Sequence, residues 1–403
     1  MKTALISIVS DQTIPNIQLA LEFKDKIDFY FFVTTQSKSH ITNNIIKALN
    51  LQEEQCQLIP VDENNTSTIT ADLQKYSESY EQYNLIVNYS CGTKLLSMAV
   101  YNYFSPLNNA YCYYVNTNNT YLDFEGKTQQ FHITLTVEQY LTAYALEFKK
   151  GKYQHTKEVA ENIYEKYTAG QLREIIRILR PHRSINKKTI DLSTELDEQQ
   201  KSILSDILSI DNVITKDDIK YITGEWFEEY CAYQIINQYN LSQDAVWIGT
   251  NLNHPINANS RKSKNKISDY LQKEELLTAA NELTKELEQN TNEIDVMFIY
   301  QNKLYVIECK TNLFNENRLI LDETLYKIDS IKQKFGLQPQ SIIATLFDIE
   351  NYVSTYEIEG KPYNLKGNLK RIISNINRAN NSGIKILDRK FFNSNKSFKD
   401  ALC

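Results

Sequence analysis

The segment Asn292–Lys310, with the sequence NEIDVMFIYQNKLYVIECK, determines the fold of the C-terminal part of this chain. Two runs rich in apolar residues, Ile294–Tyr300 and Leu304–Lys310, are typical of buried strands. The polar residues between them, at 301–303 (QNK), are typical of a tight turn. The segment therefore predicts two antiparallel strands joined as a hairpin.

The second strand of this hairpin carries an acid and a base two residues apart. Side chains alternate between the two faces of a strand, so Glu308 and Lys310 share one face and Cys309 points to the other. A two-residue turn would place Asp295 opposite Glu308, and a four-residue turn would place it opposite Lys310. A three-residue turn would put Asp295 beside Cys309, facing away. The length of the turn therefore tests whether the three groups form one site.

The chemistry of these groups favours a metal-dependent hydrolase. Two carboxylates and a lysine on one face are costly to bury unless they have a purpose. Carboxylate oxygens suit Mg²⁺ or Mn²⁺, which would polarise a phosphate and lower the pKa of a bound water. Lys310 could orient that water or stabilise negative charge on phosphorus. The alternative is a surface ion pair on a half-exposed strand, which core residues such as Val306 and Ile307 disfavour.

An upstream helix, with the sequence GEWFEEYCAYQII from Gly224, carries two further acids. Glu225 and Glu228 are three residues apart and therefore share one face of the helix. Trp226 and Tyr230 supply its packing face. Either acid could approach the metal, and a solvated acidic face is the alternative for both.

The first 135 residues alternate short apolar runs with helical patterns, which predicts a parallel sheet with helices on both faces. A closing hairpin is expected over Tyr121–Phe124 and Gln130–Leu135. The predicted strands are Ala4–Val9, Asp28–Thr34, Gln57–Val61, Leu85–Tyr89 and Tyr111–Val115. The predicted helices are Ile14–Lys24, Ile41–Leu49, Ser67–Tyr80 and Thr93–Phe104.

These patterns predict three regions: a Rossmann-like α/β domain at 1–135, a helical connector at 136–222 and an α+β domain at 223–403. After the hairpin, the last region is expected to contain a helix at 319–335, a strand at 341–346 and a helix at 364–380. A ligand-sensing transcription regulator is an alternative, with the connector reading DNA. Such a protein has no need of carboxylates beside Lys310, and acids flank the basic helix that it would use. The arginines of that helix are Arg173, Arg177, Arg180 and Arg183.

Two polar loops of the first domain are candidates for a nucleotide site. The domain lacks the G-x-G-x-x-G fingerprint of dinucleotide binding. In open α/β sheets, ligands bind outside the carboxyl ends of the strands, where helix N-termini offer free N–H groups to anions. Gly92 would allow close approach, and Thr93 and Lys94 would offer a hydroxyl and a cation. The alternative is that Ser10, Thr13 and Thr93 simply cap helices. The candidate residues are Ser10, Asp11, Gln12, Thr13, Pro15, Asn16, Ser90, Cys91, Gly92, Thr93 and Lys94.

Composition excludes several classes of protein. The formal net charge of -6 argues against a general basic coat for nucleic acid, although not against a local one. The 6 cysteines are far apart with no C-x-x-C pair, so neither a zinc knuckle nor a disulfide framework is expected. No run of about 18 apolar residues occurs, and we expect a cytoplasmic chain without a membrane span. The motifs of zinc hydrolases, serine hydrolases and P-loop enzymes are absent from the sequence.

The spacing D-x12-E-x-K, preceded by a helix with acids, resembles the PD-(D/E)XK nuclease core of restriction-type enzymes. The resemblance implies that Asp295, Glu308 and Lys310 are the catalytic set and that Glu228 is the helix acid. It also implies that the three carboxylates bind the metal.

A longer series of motifs resembles one family, the CARF-domain CRISPR ancillary nucleases of type III systems. The motifs follow the family's order: SDQTIPN from Ser10, SCGTKLLS from Ser90, YITGEWFEEY from Tyr221, NEID from Asn292, IECK from Ile307 and LYKIDSIKQKFG from Leu325. The resemblance implies a homodimer whose CARF domains, at 1–135, bind a cyclic oligoadenylate across the two-fold axis, with cyclic tetra-adenylate as the expected activator. It also implies metal-dependent cleavage of single-stranded DNA and RNA with little sequence preference.

The charged stretch of about Ala258–Asn290 departs from the shorter members of that family. Its basic residues would track a phosphate backbone in one interpretation and form a solvated loop in the other. The same interpretations apply to three lysines on the helix after the hairpin. A restriction- or repair-type DNA endonuclease that needs no ligand is a further alternative, which ligand dependence would separate from the switched enzyme. The basic residues are Arg261, Lys262, Lys264 and Lys266 in the stretch, and Lys327, Lys332 and Lys334 on the helix.

Overall fold

The computed structural model of the chain describes residues 1–123, 125–184, 188–253, 292–315, 318–332, 335–336, 339–352, 364–394 and 396–402. The charged stretch of about Ala258–Asn290 lies outside the described residues, with its basic residues Arg261, Lys262, Lys264 and Lys266, and so does Lys334.

The N-terminal domain is built on a seven-stranded sheet in the order β3-β2-β1-β4-β5-β6-β7. The first five strands are parallel, and the last two form the antiparallel closing hairpin. The predicted α/β fold is confirmed, and the switch point falls between β1 and β4. The strands are β1 (Lys2–Ile8), β2 (Phe29–Thr34), β3 (Cys56–Pro60), β4 (Tyr83–Asn88), β5 (Ala110–Val115), β6 (Thr120–Leu122) and β7 (Thr128–Gln130). The helices are α1 (Ile14–Glu22), α2 (Ser39–Leu49), α3 (Thr66–Gln74), α4 (Ser77–Tyr80) and α5 (Lys94–Phe104).

Two N-terminal predictions need correction. The helix predicted over Ser67–Tyr80 is two helices, because Tyr76 leaves helical geometry between α3 and α4. The closing strand predicted over Gln130–Leu135 lies instead at Thr128–Gln130. Beyond it, the backbone of residues 133–135 hydrogen-bonds to a side chain of the C-terminal domain in place of a strand partner.

The segment predicted as a purely helical connector also contains strands. Its β8 (Glu147–Lys149) pairs with the C-terminal sheet, and β9 (Thr189–Asp191) pairs with β10 (Val213–Thr215). Each of these strands is three residues long, which is too short for a period of two to be visible in the sequence. The domain boundaries at 135 and 222 stay predictions. The helices of the segment are α6 (Val137–Ala143), α7 (Lys157–Thr168), α8 (Arg173–Leu179), α9 (Glu198–Leu208) and α10 (Lys216–Lys220).

The C-terminal domain contains a six-stranded sheet in the order β17-β16-β13-β12-β11-β8. Three of its strands, β8, β11 and β17, were not predicted. The strands after β10 are β11 (Val246–Asn253), β12 (Asn292–Tyr300), β13 (Lys303–Lys310), the short pair β14 (Phe314–Asn315) and β15 (Arg318–Leu319), β16 (Gln340–Thr345) and β17 (Ile384–Leu387). The helices are α11 (Trp226–Tyr239), α12 (Leu321–Lys332), α13 (Asn364–Asn381), α14 (Arg389–Phe392) and α15 (Phe398–Leu402).

The C-terminal sheet is buried on both faces. Val296 and Phe298 pack with residues of α8, α9 and α11. Met297, Ile299 and Leu304, on the opposite face, share one apolar cluster with α1, α2 and α6 of the N-terminal half. The two domains therefore have a common core. Because a close-packed core transmits strain, a displacement in one domain would shift packed residues in the other. No helix in the described part of the chain is long and apolar enough to cross a membrane.

Candidate functional site

The hairpin turn has two residues, the length that brings the predicted groups together. Tyr300 pairs with Lys303, and Gln301 and Asn302 have left-handed φ values of 48° and 58°. Two left-handed residues are what a type I′ turn requires, and asparagine tolerates that conformation well. The register, continued by one residue beyond Val296, places Asp295 opposite Glu308.

Asp295, Glu308 and Lys310 converge on one face of the hairpin. The Lys310 Nζ lies 3.2 Å from Asp295 Oδ2 and 2.7 Å from Glu308 Oε1. Both carboxylates are almost fully buried, with 6% of Asp295 and 3% of Glu308 exposed. The Cys309 backbone N–H donates to Asp295 Oδ2 at 2.7 Å and so orients that carboxylate.

A second lysine reaches the same carboxylates from α12. The Lys327 Nζ lies 2.7 Å from each oxygen of Glu308 and 4.0 Å from Asp295 Oδ1. The sequence showed Lys327 as a basic residue on the following helix, but its meeting with Glu308 depends on how α12 packs over the sheet. Two ammonium groups therefore compensate two buried carboxylates.

The helix acids separate into two environments. Glu228 is half-buried and lines the same cavity as Glu225 and Lys310. Its neighbour Glu229 points into the interior and accepts hydrogen bonds from the Tyr221 hydroxyl at 2.8 Å and from the Gln154 backbone. Glu229 is thus a structural acid, whereas Glu228 faces the cavity.

The site disfavours additional negative charge. Burial, reinforced by the Asp295 carboxylate, raises the pKa of Glu228 well above its usual range, although Lys310 opposes this. Burial and Asp295 also raise the pKa of Glu308, against the lowering effect of Lys310 and Lys327. Burial alone would lower the pKa of Lys310, but Asp295 and Glu308 outweigh it and raise that pKa. A bound cation would relieve the same repulsion between carboxylates.

The donor chemistry fits a hard divalent cation held by few protein ligands. Among the described residues, no three histidine, cysteine, aspartate or glutamate side chains are close enough together to hold a metal ion. Mg²⁺ commonly binds through one or two carboxylates and completes its shell with water and substrate phosphate. Asp295 and Glu308 supply such a pair, and Glu228 faces the cavity next to them.

The C-terminal cavity, of about 460 Å³, is formed where β13 ends, and charged side chains dominate its wall. They are Arg180, Arg183, Glu225, Glu228 and Lys310. Two of the arginines that a transcription regulator would have used to read DNA therefore line the cavity beside the carboxylates. Their position favours a role for Arg180 and Arg183 in the C-terminal cavity over a role in reading DNA.

The N-terminal cavity, of about 220 Å³, lies at the predicted switch point. Both candidate loops contribute to it, and the Cys91 thiol joins them by donating to the Gln12 carbonyl oxygen at 3.2 Å. Sequence reasoning did not anticipate the tyrosines of α6 and its C-terminal end, Tyr140 and Tyr144, or the residues after β5. Of the candidate residues, Ser10, Gln12, Pro15, Ser90, Cys91 and Gly92 line this cavity, together with Tyr114, Asn116, Thr117, Tyr140 and Tyr144.

The remaining candidate residues lie behind or beside this wall. Asp11 is exposed and forms an ion pair with Lys38 at 2.6 Å. Asn16 is buried and donates to the Ile8 carbonyl oxygen, and Thr93 caps α5 by accepting from the Leu96 N–H. Thr13 is buried beside Tyr144. Lys94 is exposed at the first position of α5.

Gly92 is required by the approach of its loop to β1. Its φ is +85°, and a Cβ at this position would lie 2.8 Å from Ile8 Cγ2. Both the left-handed backbone and the contact exclude a larger residue without a shift of the loop.

Three contacts connect the N-terminal half with segments next to the catalytic candidates. The Tyr140 hydroxyl donates to the Phe335 carbonyl oxygen at 3.0 Å, just beyond the end of α12. Gly336 fits so closely that a Cβ there would lie 2.2 Å from Tyr144 Oη and 3.0 Å from Gln12 Oε1. The wall of the N-terminal cavity therefore touches Phe335 and Gly336, shortly after the helix whose Lys327 binds Glu308.

Asn302 supplies the third contact, at the tip of the hairpin. It is 2% exposed, and its amide donates to Asn119 Oδ1 at 2.7 Å and to the Ile133 carbonyl oxygen at 3.0 Å. Its own Oδ1 accepts from the Leu135 N–H at 2.7 Å. The N-terminal domain thus holds the strand pair that carries Asp295 and Glu308.

Comparisons with known proteins agree with this architecture. Residues 4–140 match the family described as Card1 CARF domain, and residues 215–380 match the family described as Card1-like, endonuclease domain. No curated protein matches the chain.

Two solved structures share the fold along nearly the whole chain. Protein VC1899 from Vibrio cholerae is 16% identical, with a TM-score of 0.68, covering 96% of this chain and 94% of that one. Can2 from Sulfobacillus thermosulfidooxidans, solved in complex with cyclic tetra-adenylate, is 20% identical, with a TM-score of 0.65 and coverages of 96% and 95%.

Proposed function

The chain belongs to the family that joins a Card1 CARF domain to a Card1-like endonuclease domain, and from this premise we propose a metal-dependent nuclease activated by a cyclic oligoadenylate. The nuclease would act in type III CRISPR antiviral defence. The observation that carries the proposal is the convergence of Asp295, Glu308 and Lys310 at a charged cavity.

In this proposal Asp295 and Glu308 hold Mn²⁺ or Mg²⁺, and Glu228 of α11 lines the cavity beside them without joining them as a third ligand in this arrangement. The metal would supply Lewis acidity toward a phosphate oxygen and a more acidic bound water. Lys310 would stabilise negative charge on the phosphate, which its contacts with both carboxylates and its position in the cavity wall support. Lys327 keeps Glu308 oriented from the opposite side.

Single-stranded DNA and RNA are the proposed substrates. The cavity lies beside the end of β13, and two arginines and Lys310, which contacts both proposed metal-binding acids, line it, which suits a phosphodiester backbone. Contacts to phosphates carry no sequence information, so little sequence preference is expected.

Cyclic tetra-adenylate is the proposed activator, bound at the N-terminal cavity. The cavity lies where parallel strands end and the N-terminus of α5 begins, an arrangement that binds anions. Ser10, Gln12, Ser90 and Asn116 offer hydrogen bonds to ribose, phosphate and base. The similarly folded Can2 was solved with this compound, which supports the choice of ligand.

The signal would pass from Tyr140 and Tyr144 to α12. A ligand seated against these tyrosines can shift an equilibrium between two arrangements only by binding one of them more tightly. Tyr140 is hydrogen-bonded to Phe335, and Tyr144 packs on Gly336, shortly after the end of α12. A ligand that binds one arrangement of these tyrosines more tightly would therefore reposition α12 and its Lys327.

A homodimer would complete the ligand site. Leu95 and Met98 of α5 are 37% and 62% exposed, and Tyr114 in the cavity wall is 39% exposed. Exposed apolar residues next to a ligand site are typical of a surface that a second copy covers. Sedimentation equilibrium of the purified chain tests this assignment.

The central experiment is cleavage of labelled single-stranded DNA and RNA with Mn²⁺, in the presence and absence of cyclic tetra-adenylate. We expect cleavage to require both the metal and the ligand. Glu308→Gln should lower the rate by about a thousandfold or more, because a neutral amide cannot replace the buried carboxylate. Glu54→Gln, at an exposed position far from the cavity, serves as the matched control.

Each contrary outcome identifies the part of the proposal that fails. Ligand-independent cleavage would point to an unregulated nuclease and remove the sensor assignment. Full activity of Glu308→Gln would remove the metal site. No cleavage with any ring size of cyclic oligoadenylate would overturn the nuclease itself.

A further inference from the structure

Three cavities meet around Asn312, directly after the hairpin strand β13. The C-terminal cavity shares Asn312 and Phe314 with a cavity of about 630 Å³, whose wall includes Arg173 and Arg177. Asn312 also borders a third cavity, of about 410 Å³, whose wall includes Arg389. Together they form one groove, named here the Asn312 groove, which leads away from the carboxylates between α8 and the C-terminal sheet.

The arginines of this groove are mostly free to bind an anion. Arg177 is engaged by Glu174 of its own helix. In contrast, Arg173, Arg180, Arg183 and Arg389 form no ion pair with any residue that the structure describes. The carboxylates in the walls of the three cavities are Glu225, Glu228 and Asp348. In a chain of net charge -6, the four arginines without an ion-pair partner among the described residues outnumber these acids and form a local basic surface.

Aromatic rings are interleaved with these arginines. Tyr167 lies among three of them, since the charges of Arg173, Arg180 and Arg389 oppose the rise that burial causes in its pKa. Phe314 borders two of the cavities and packs against Phe347 at 5.4 Å between ring centroids. Cations that alternate with ring faces are the surface that single-stranded nucleic acids recognise, with phosphates on the cations and bases on the rings.

We propose that the Asn312 groove carries single-stranded nucleic acid to the catalytic carboxylates, with Arg173, Arg180 and Arg183 on its phosphates and Phe314 against a base. This inference rests on the proposed nuclease function and assigns a substrate path to the segment predicted as a connector. A duplex has its bases stacked internally and would use the arginines but not the ring. The helix that resembled a DNA-reading element therefore serves the cleavage site.

The test is nucleic-acid binding by the full chain with Glu308→Gln in the background, so that the probe survives. A fluorescein-labelled oligothymidylate is titrated at several salt concentrations, and its anisotropy gives the binding constant. The combined change Arg173→Gln, Arg180→Gln and Arg183→Gln should lower the slope of log affinity against log salt by about 2, since each lost phosphate contact removes about 0.7. The matched control is Arg371→Gln, outside the groove, whose guanidinium is paired with Asp322.

A second variant separates stacking from charge. Phe314→Leu keeps an apolar side chain but removes the ring, so it should weaken oligothymidylate binding roughly tenfold without changing the salt slope. Thermal melting of each variant checks folding, and single changes at the exposed Arg173 and Arg183 replace the triple variant if its melting temperature falls.

The outcomes distinguish this inference from the function on which it rests. If the wild-type chain cleaves single strands but the arginine variants keep its salt slope, the groove assignment is wrong and the nuclease stands. If the wild-type chain neither binds nor cleaves nucleic acid, both are wrong. Equal binding of a duplex and of the single strand, with no effect of Phe314→Leu, would overturn the assignment to single strands.

Discussion

The two cavities both form where strands end, yet they differ in charge. The described wall of the N-terminal cavity contains hydroxyl, amide, thiol and apolar side chains but no charged one. The wall of the C-terminal cavity contains two arginines, two glutamates and a lysine. A site that must recognise a ligand and release it can rely on backbone dipoles and shape, whereas a site for phosphodiester cleavage needs charges that stabilise the transition state.

Removing Lys310, the proposed catalytic cation, should have the largest effect of the three changes that follow. Lys310→Met keeps the length of the side chain but leaves Asp295 and Glu308 with one ammonium fewer. Cleavage should fall about 10²–10³-fold, the loss typical of removing a group that stabilises the transition state. Single-turnover cleavage with saturating cyclic tetra-adenylate measures it. The control Lys385→Met removes an exposed lysine on β17, and near-normal cleavage by Lys310→Met would show that charge in this cavity is dispensable.

A smaller effect is expected where the segment after α12 packs against the wall of the N-terminal cavity. Gly336→Ala places a Cβ against Tyr144 at a residue whose φ is +74°. Such strain is on the order of 1–3 kcal/mol, so the ratio of activated to basal cleavage should fall roughly tenfold. Gly170→Ala is the matched control, because its φ is +83° and nothing lies within 4 Å of the added Cβ. Equal activation ratios for the two variants would place the route of activation elsewhere.

The smallest effect concerns one hydrogen bond. Tyr140→Phe keeps the ring in the N-terminal cavity but removes the donor to the Phe335 carbonyl oxygen. A neutral hydrogen bond contributes about 1 kcal/mol, so the activation ratio should fall about fivefold while the ligand still binds. Calorimetric titration with cyclic tetra-adenylate and cleavage assays measure the two quantities separately. Tyr103→Phe, which loses a hydrogen bond to Gln74 on the outer surface, should behave like wild type.

What the sequence predicted well depends on local rules. The turn QNK, the alternation around Glu308 and the strand–helix order are properties of neighbouring residues, and the α/β fold and hairpin register agree with them. Whether Asp295 lies opposite Glu308 depends only on the length of the turn, and the structure has the two-residue turn that brings them together. The roles assigned to these residues and to the loops at 10–16 and 90–94 stay predictions.

What the sequence did not predict depends on packing between distant segments. Lys327 meets Glu308 through the orientation of α12, and Tyr140 reaches the N-terminal cavity because α6 packs on α1 and α2. Asn302 looked like an ordinary turn residue, although its amide bonds to a loop more than 160 residues earlier. Contacts between residues so far apart in the sequence leave no local pattern from which they could be predicted.

The short strand β8 limits how this protein can be divided or recombined. Five helices, α7 to α11, separate it from β11 in the chain, yet it forms the outer strand of the sheet that carries the hairpin of Asp295 and Glu308, through pairs such as Leu252 with Phe148. A fragment starting at Gly224 would lack that strand and expose the edge of β11. Unpaired backbone groups on an exposed edge strand promote association with a second copy of the fragment. The endonuclease domain therefore cannot be transferred to another protein as residues 224–403 alone. A chimera in which the CARF domain is replaced must keep residues 147–149 together with the endonuclease domain.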